Sequence, residues 1–366
     1  MGRLSRPIQE SVTQDPVTPT RGDIQGPRIP ESNKKEGVCY AVTNDGVELP
    51  VIDVTHPAFA VELSAAELAA QSESFFREQE RRGGPTFLRR LILRFALRRS
   101  VLWRGLMGAS GTFLSGMNTY LLKLGAANLG SGYAGRGDLQ IAGSFPVTAL
   151  RLRLQDTAHM LATGLAGPLS SRPDAPLHLV NIAGGPAADS LNALIISRRA
   201  NGALLASRRI FIHVLDLQRE APDFGGRALE ALQGRDAPLH GLDVTFEFVR
   251  YDWRESGALR SFLAGLGGGE KVMAVSSEGG LFEYGSDPDI LSNLEVLREA
   301  GGGLFVAGSV TRDDPRHRIH RWTRIPVIPR GLAVFGALVH GAGWRIDEAV
   351  ERPFNDIVRL GRARQP

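Results

Sequence analysis

The sequence predicts an α/β fold: a mostly parallel sheet in the second half of the chain, an antiparallel hairpin at its C-terminal end, and a helical region ahead of it. Three patterns carry this. After residue 176, apolar runs of strand length alternate with helical stretches of about 10–15 residues, as expected for parallel strands covered on both faces. The last two strand-like segments, 344–350 and 355–360, follow one another with no helix between them and so pair as a hairpin. Residues 56–169 space their apolar groups three and four apart and show no strand-like alternation.

Each element has a local cause. Residues 1–37 are polar and Pro-rich with few large apolar groups, and read as a disordered tail. Asn44-Asp45-Gly46 between two β-prone runs is a hairpin turn. Ser64 with Glu67 three residues on is a capping box, and the helix it opens runs to about residue 82, where Gly83-Gly84-Pro85 breaks it. Further helices are expected over 86–106, 112–124 and 147–165, the last ending at Gly167-Pro168. Strands are expected over 177–183, 209–215, 242–249, 271–276 and 303–307, with helices over 187–199, 224–232, 255–266 and 287–300 between them. A helix over 332–340 precedes the final hairpin. The division that follows is a tail, 1–37, a hairpin with a helical lid or substrate domain, 38–170, and a nucleotide-type α/β domain, 171–366.

Composition narrows the function classes. Hydrophobic residues make up 43% of the 366 and charged residues 22%, ordinary globular values that exclude wholesale disorder. The 43 Gly and 21 Pro are not periodic, which excludes collagen-like repeats and fits a loop-rich enzyme. The single cysteine, Cys39, excludes a disulfide within the chain and any Cys-based zinc site, and points to the reducing cytoplasm. No secretory signal or bilayer-length apolar run is visible. Net charge is only +4, but nine arginines fall between Arg77 and Arg104. They interleave with Phe87, Leu88, Leu91, Ile92 and Phe95, so the segment reads as an amphipathic lid helix with a solvated Arg face. No nucleic-acid or membrane partner is expected. A homodimer is one option the sequence leaves open.

The chemistry concentrates at the C-terminal ends of the parallel strands, where open α/β sheets bind ligands. The first strand ends in Gly184-Gly185-Pro186 and runs into a helix. Such a turn lets a ligand approach the backbone and offers it free N–H groups. It is neither the G-x-G-x-x-G fingerprint nor a P-loop. Asp216 ends the second strand and can accept from two ribose hydroxyls. Asp252 follows the third strand and can accept from an exocyclic amine, while Trp253 or Leu217 can cover a purine face. Ser277 and Glu278, with Gly279-Gly280, end the fourth.

On these residues the chain resembles the class I S-adenosylmethionine-dependent methyltransferases. The resemblance covers about 177–360 and rests on Asn181-Ile-Ala-Gly-Gly-Pro-Ala187, Val214-Leu-Asp216, Tyr251-Asp252-Trp253, Val275-Ser-Ser-Glu-Gly-Gly280 and the closing hairpin. It implies a Rossmann-like sheet of seven strands with S-adenosylmethionine across the first and fourth strand ends. Gly184 and Gly185 would touch its methionine part, Asp216 the ribose and Asp252 the adenine. The family usually carries an acid where this chain has Asn181, so contacts to the cofactor's amino group differ.

The implied activity is methyl transfer to a small molecule, with the helical region selecting it. Phe113, Asn118 and Tyr120 fall on one candidate helix there, and Tyr133 lies in a Gly-rich loop. An aromatic face can stabilise a sulfonium and an Asn can orient an amine or carboxylate, so Phe113, Asn118 and Tyr120 are the catalytic candidates. A weaker resemblance, to the branch that cyclises S-adenosylmethionine to azetidine-2-carboxylate, rests on the lid with Phe113 and Asn118. A catalytically silent scaffold is a third reading. No metal site is expected: His317 and His320, near Asp313 and Asp314, read as a solvated loop. No G-x-S-x-G elbow is present, which argues against a hydrolase.

Overall fold

In a computed structural model of the chain, the residues described are 27–82, 99–109, 113–130, 133, 135–301, 303–314 and 325–363. The expected hairpin forms from β1 (Tyr40–Val42) and β2 (Glu48–Pro50). Then come helices α1 (Ala65–Arg82), α2 (Val101–Gly108), α3 (Gly116–Leu124), α4 (Arg136–Ala142) and α5 (Phe145–Ser171). The α/β part follows as β3 (Leu177–Ile182), α6 (Ala188–Asn201), α7 (Ala203–Ala206), β4 (Ile210–Asp216), α8 (Glu220–Leu232), β5 (Val244–Arg250), α9 (Ser256–Gly265), β6 (Val272–Ser277), α10 (Leu281–Tyr284), α11 (Asp287–Glu299), β7 (Phe305–Thr311) and α12 (Gly331–Gly341). Strands β8 (Trp344–Glu351) and β9 (Asn355–Arg362) close the chain.

Strands β3 to β9 build one seven-stranded sheet in the order β5-β4-β3-β6-β7-β9-β8. The first five are parallel, and β9 inserts antiparallel between β7 and the edge strand β8. This is the Rossmann-like α/β class with the antiparallel end. The burial patterns explain the order. Strands β3, β6 and β7 are buried at every residue, as interior strands with both faces covered must be. β5 and β8 alternate, and β8 turns Arg345, Asp347 and Glu351 outward, which protects an edge from further pairing.

Successive residues of β3 serve opposite faces, as a two-residue period requires. Leu177 and Leu179 join a hydrophobic cluster with α5, α6 and α8, to which Leu49, Phe59, Leu102 and Tyr120 of the N-terminal part also belong. Val180 and Ile182 join a second cluster with α9, α11 and α12.

Several boundaries differ from expectation, each for a local reason. The capping box at α1 is present: Ser64 Oγ accepts from the Glu67 N–H at 3.2 Å, and Glu67 Oε2 accepts from the Ser64 N–H at 2.8 Å. Of the helix expected over 86–106, α2 begins at Val101, because Ser100 is extended and caps it by accepting from the Trp103 N–H at 3.0 Å. Residues 83–98, with most of the arginine run, lie outside the described residues. The helix expected from 112 starts at Gly116 because Ser115 is its cap, accepting from the Asn118 N–H at 3.2 Å. Helix α5 continues past Pro168 to Ser171, since the Arg208 guanidinium donates to the carbonyls of Leu169, Arg172 and Ala175 just beyond that turn. Residues 27–37, read as part of the tail, make contacts: Lys35 Nζ donates to Asn128 Oδ1 at 2.6 Å, and the Ile29 N–H to Glu48 Oε2 at 3.0 Å. Among the described residues, no helix is long and apolar enough to cross a membrane and no cluster of His, Cys, Asp or Glu could hold a metal. His317 and His320 lie outside them.

Candidate active site

A cavity of about 270 Å3 opens at the carboxyl ends of β3, β4 and β6, with α3 as its far wall. The chain runs outward from β3 through β4 to β5, then crosses back to β6, so the cavity lies at the point where strand order reverses. One side is the turn Ala183–Pro186. Its backbone is unusual: Ala183 and Ala187 both have positive φ, 55° and 53°, as does Gly185 at 56°. Two alanines in the left-handed region cost about 1–2 kcal/mol each, a strain held by the packed strand and helix on either side.

Asp216 is the best-placed polar group. Its Oδ2 accepts from the Gly185 N–H at 3.2 Å and its Oδ1 from the Gln218 N–H at 3.0 Å. A carboxylate has roughly four acceptor positions, so the two oxygens keep capacity for a ligand. Burial raises its pKa, against the opposing pull of the Gln218, Gly185 and Leu217 N–H groups. Leu217, 39% exposed, and Trp253 form the apolar rim beside it. Across the mouth, Phe113 meets Trp253 edge-on at 5.2 Å and Tyr284 at 5.4 Å. Phe113 is therefore at the cavity, although it precedes α3 instead of lying on it.

The remaining candidates divide. Gly184, Gly185 and Glu278 line the cavity. Asn118 does not: its amide abuts Gly105 of α2, where a Cβ would come within 2.5 Å of Asn118 Oδ1. Tyr120 lines the cavity with its ring, but its hydroxyl is used inside the protein, donating to the Pro50 carbonyl at 2.8 Å and accepting from the Ile52 N–H at 3.0 Å. Tyr120→Phe should thus cost about 1–3 kcal/mol in stability, through two unsatisfied buried backbone groups, and leave turnover per folded molecule little changed. Urea denaturation with an activity assay on the folded fraction checks this.

Asp252 is outside the cavity, paired with Arg254 two residues on, at 2.5 and 3.0 Å. Ser277 is behind it: the hydroxyl accepts from the Leu281 N–H at 2.8 Å and donates to the Ile182 carbonyl at 3.1 Å, pinning the turn after β6. Asn181 lies beneath the glycine turn, donating to Asp189 Oδ1 at 2.5 Å and Ser276 Oγ at 3.1 Å. A carboxylate thus stands one hydrogen bond behind the position where the resemblance places an acid. Burial, and then Glu278, push Asp189 up to about 6.

The largest feature absent from the sequence reading is a buried charge network on the cavity floor. Glu278 Oε1 accepts from Arg153 Nε at 2.6 Å, and Glu278 also pairs with Lys123. Arg153 Nη1 continues to Glu283 at 3.0 Å, and Glu283 accepts from Ser309 and Asn355 at 2.7 Å each. Burial pushes Glu278 up, but Lys123 and Arg153 outweigh it and hold the carboxyl below its ordinary range. Sequence signals existed: Lys123 interrupts an apolar run in Leu121-Leu122-Lys123-Leu124, and Arg153 sits between Leu152 and Leu154.

No family model matches the chain, and no curated protein does. Solved structures resemble it in fold. The mitomycin 7-O-methyltransferase MmcR is 14% identical, covering 82% of this chain and 74% of its own, with a TM-score of 0.37. The N,N-8-amino-8-demethyl-D-riboflavin dimethyltransferase RosA from Streptomyces davawensis is 13% identical, covering 63% of this chain and 60% of its own, with a TM-score of 0.36. LepI, solved in complex with SAM, is 14% identical over 55% of this chain, with a TM-score of 0.34, and the match spans less than half of LepI, 46%.

Proposed function

We propose that the cavity binds S-adenosylmethionine and that the protein is a transferase acting on a small molecule. The observation that carries this is Asp216, with acceptor capacity to spare, beside a glycine turn at the switch point of the sheet. The residues present fit the group: Asp216 would take the ribose hydroxyls, Leu217 and Trp253 the adenine faces, and Gly184 and Gly185 leave the backbone bare beside it. With Asp252 engaged by Arg254, the adenine is held by its faces rather than by that carboxylate. When bound, the sulfonium supplies an electrophilic carbon. The chain's own part is positioning and exclusion of water. The rings of Phe113, Trp253 and Tyr284 close the mouth and offer π faces that attract a cation. On this reading 38–170 is the lid and substrate domain over the cofactor domain, working in the cytoplasm.

Methyl transfer to a separate acceptor is the first form of the reaction. One observation favours a second. The cavity, about 270 Å3, falls just under the roughly 300–1,000 Å3 usual for ligand pockets, and α3 bounds it with Gly116 hard against Gly185. A closely bounded cavity suits a reaction that needs no second substrate: the cofactor's own amine attacks the γ-carbon and the bond from that carbon to sulfur breaks, giving azetidine-2-carboxylate and methylthioadenosine. Incubation with S-adenosylmethionine alone, followed by mass spectrometry, separates the two. Intact cofactor that is consumed only when an acceptor is added supports methyl transfer; methylthioadenosine with a four-carbon cyclic amino acid supports cyclisation. Calorimetry comes first: S-adenosylhomocysteine should bind, and Asp216→Ala should weaken it roughly 10- to 100-fold, the loss of a charged acceptor worth about 1.5–3 kcal/mol. No binding by a folded sample would overturn the proposal and leave the scaffold reading.

A further inference from the structure

Three polar side chains line up across β3, β4 and β5, on the face that carries the second hydrophobic cluster. His213 pairs directly with Glu247, and His178 stands two residues before Val180, the partner of His213. The two-residue period of a strand therefore turns all three to one side. His178 Nδ1 lies 3.0 Å from His213 Nε2, and His213 Nδ1 lies 3.0 Å from Glu247 Oε2. Both histidines are buried, whereas the Glu247 side chain is half exposed. The donors follow from chemistry. An ionised carboxylate only accepts, so His213 carries its proton on Nδ1 and presents a lone pair at Nε2. His178 must then donate from its own Nδ1. With both rings neutral, every link joins a donor to an acceptor. A first added proton leaves His213 cationic against Glu247, with His178 turned acceptor and its own proton moved to Nε2. A second would set two N–H groups and two charges against each other across 3.0 Å.

The neighbouring elements do not welcome that charge. Arg209, just before β4, and Lys271, just before β6, both oppose it on His178. Phe211 of β4 stacks on His178 at 4.8 Å, and α9 presents the ring of Phe262 edge-on to His213 at 5.2 Å. Among the described residues, Glu247 is the acid that favours it. We propose that His178, His213 and Glu247 form a proton-sensitive clasp: it ties β4 and β5 to β3 while both rings are neutral, holds one proton where the unfolded chain's two histidines hold two, and so loosens this edge of the sheet in mild acid. Burial, and then His213, push His178 down to about 4, and burial lowers His213 despite Glu247. In the unfolded chain both take protons near pH ~6.5. Below that pH the unfolded state binds more protons than the folded one. The clasp's contribution is therefore complete above about pH 6.5 and is lost as pH falls toward the lower folded values. The inference is independent of what the cavity binds.

Urea denaturation of the full chain between about pH 8 and pH 5 tests it, with wild type beside His178→Phe, which keeps a ring against Phe211. On going from about pH 6.5 to pH 5, the unfolding constant of the wild type should rise at least roughly tenfold more than that of the variant, the effect of one histidine that stays neutral only in the fold. The same pH dependence in both proteins overturns the clasp. Nitrogen NMR of histidine-labelled wild type gives a second readout, the coupled pair being recognised by scalar coupling across its N–H···N bond. At about pH 8 both rings should carry their proton on Nδ1, and neither should titrate near the ordinary ~6.5. Protons on Nε2 in both rings, or two ordinary titrations, overturns the proposal. If His178→Phe does not fold, the spectra of the wild type decide alone.

Discussion

Arg153→Met is expected to destabilise the protein by about 3–5 kcal/mol, the cost of removing one partner from a buried ion network. The guanidinium, from the middle of α5, bonds Glu278 at 2.6 Å and Glu283 at 3.0 Å, and the side chains of all three are 4–6% exposed. Met fills similar space, so lost packing is not the main effect. Among the described residues, what remains is Glu283 with Ser309 and Asn355, and Glu278 with Lys123. The sign of the pH dependence separates this from a cavity effect. In the wild type the Glu278 carboxyl titrates below its ordinary range. Its contribution is therefore present above the unfolded pKa of about 4.3 and lost as pH falls through the lower folded value. Without Arg153 the Glu278 carboxyl loses one of the two cations that hold it down and titrates higher, so the variant's deficit should shrink as pH falls through that higher value. Urea titrations at several pH values measure both. A deficit constant with pH would count against the electrostatic account.

Gly184→Ala should be nearly as damaging, for a steric reason. A Cβ built at Gly184 would lie 1.2 Å from Asn181 Oδ1 and 2.1 Å from its Cγ. No backbone adjustment of ordinary size relieves that, so the amide must leave. It then loses its bonds to Asp189 and Ser276 in a site with no solvent exposure. Overpacking costs roughly 1–3 kcal/mol and each stranded buried polar group about 1–3 kcal/mol. The variant should lose several kcal/mol and bind S-adenosylhomocysteine weakly, because the turn beside Asp216 shifts with it. The double variant Asn181→Ala/Gly184→Ala opens the space and should recover part of the stability. A double variant no better than Gly184→Ala alone would show that the glycine is needed for some other contact. Denaturation of the four proteins closes the cycle.

The sheet was legible because its causes are local. Interior strands such as Leu177–Ile182 are short apolar runs bounded by Gly or polar residues, and they read the same in the sequence as in the fold. The same holds for the Asn44-Asp45-Gly46 turn and the Ser64–Glu67 cap, whose partners lie three or four residues apart. The N-terminal helices were harder. Ser100 and Ser115 are caps that cut the expected helices short, and a serine inside a helical pattern carries no mark of whether it is capping or merely exposed.

What the sequence alone determined is the order of elements and the clustering of Gly184, Gly185, Asp216 and Glu278 at one edge of a sheet, since strand-end position follows from the strands themselves. Which side chains face the cavity was decided by tertiary contacts. Asp216 is open to it and Asp252 is not, because Arg254 claims the second. Asn118 turns to Gly105, while Lys123, five residues on, reaches the floor. The pairs that build that floor join residues 155 and 125 positions apart, Lys123 and Arg153 to Glu278. Periodicity and spacing act over a few turns of chain, so they can show a charge set in an apolar helix. Only the packed fold, by removing that charge from water, determines the partner it must find.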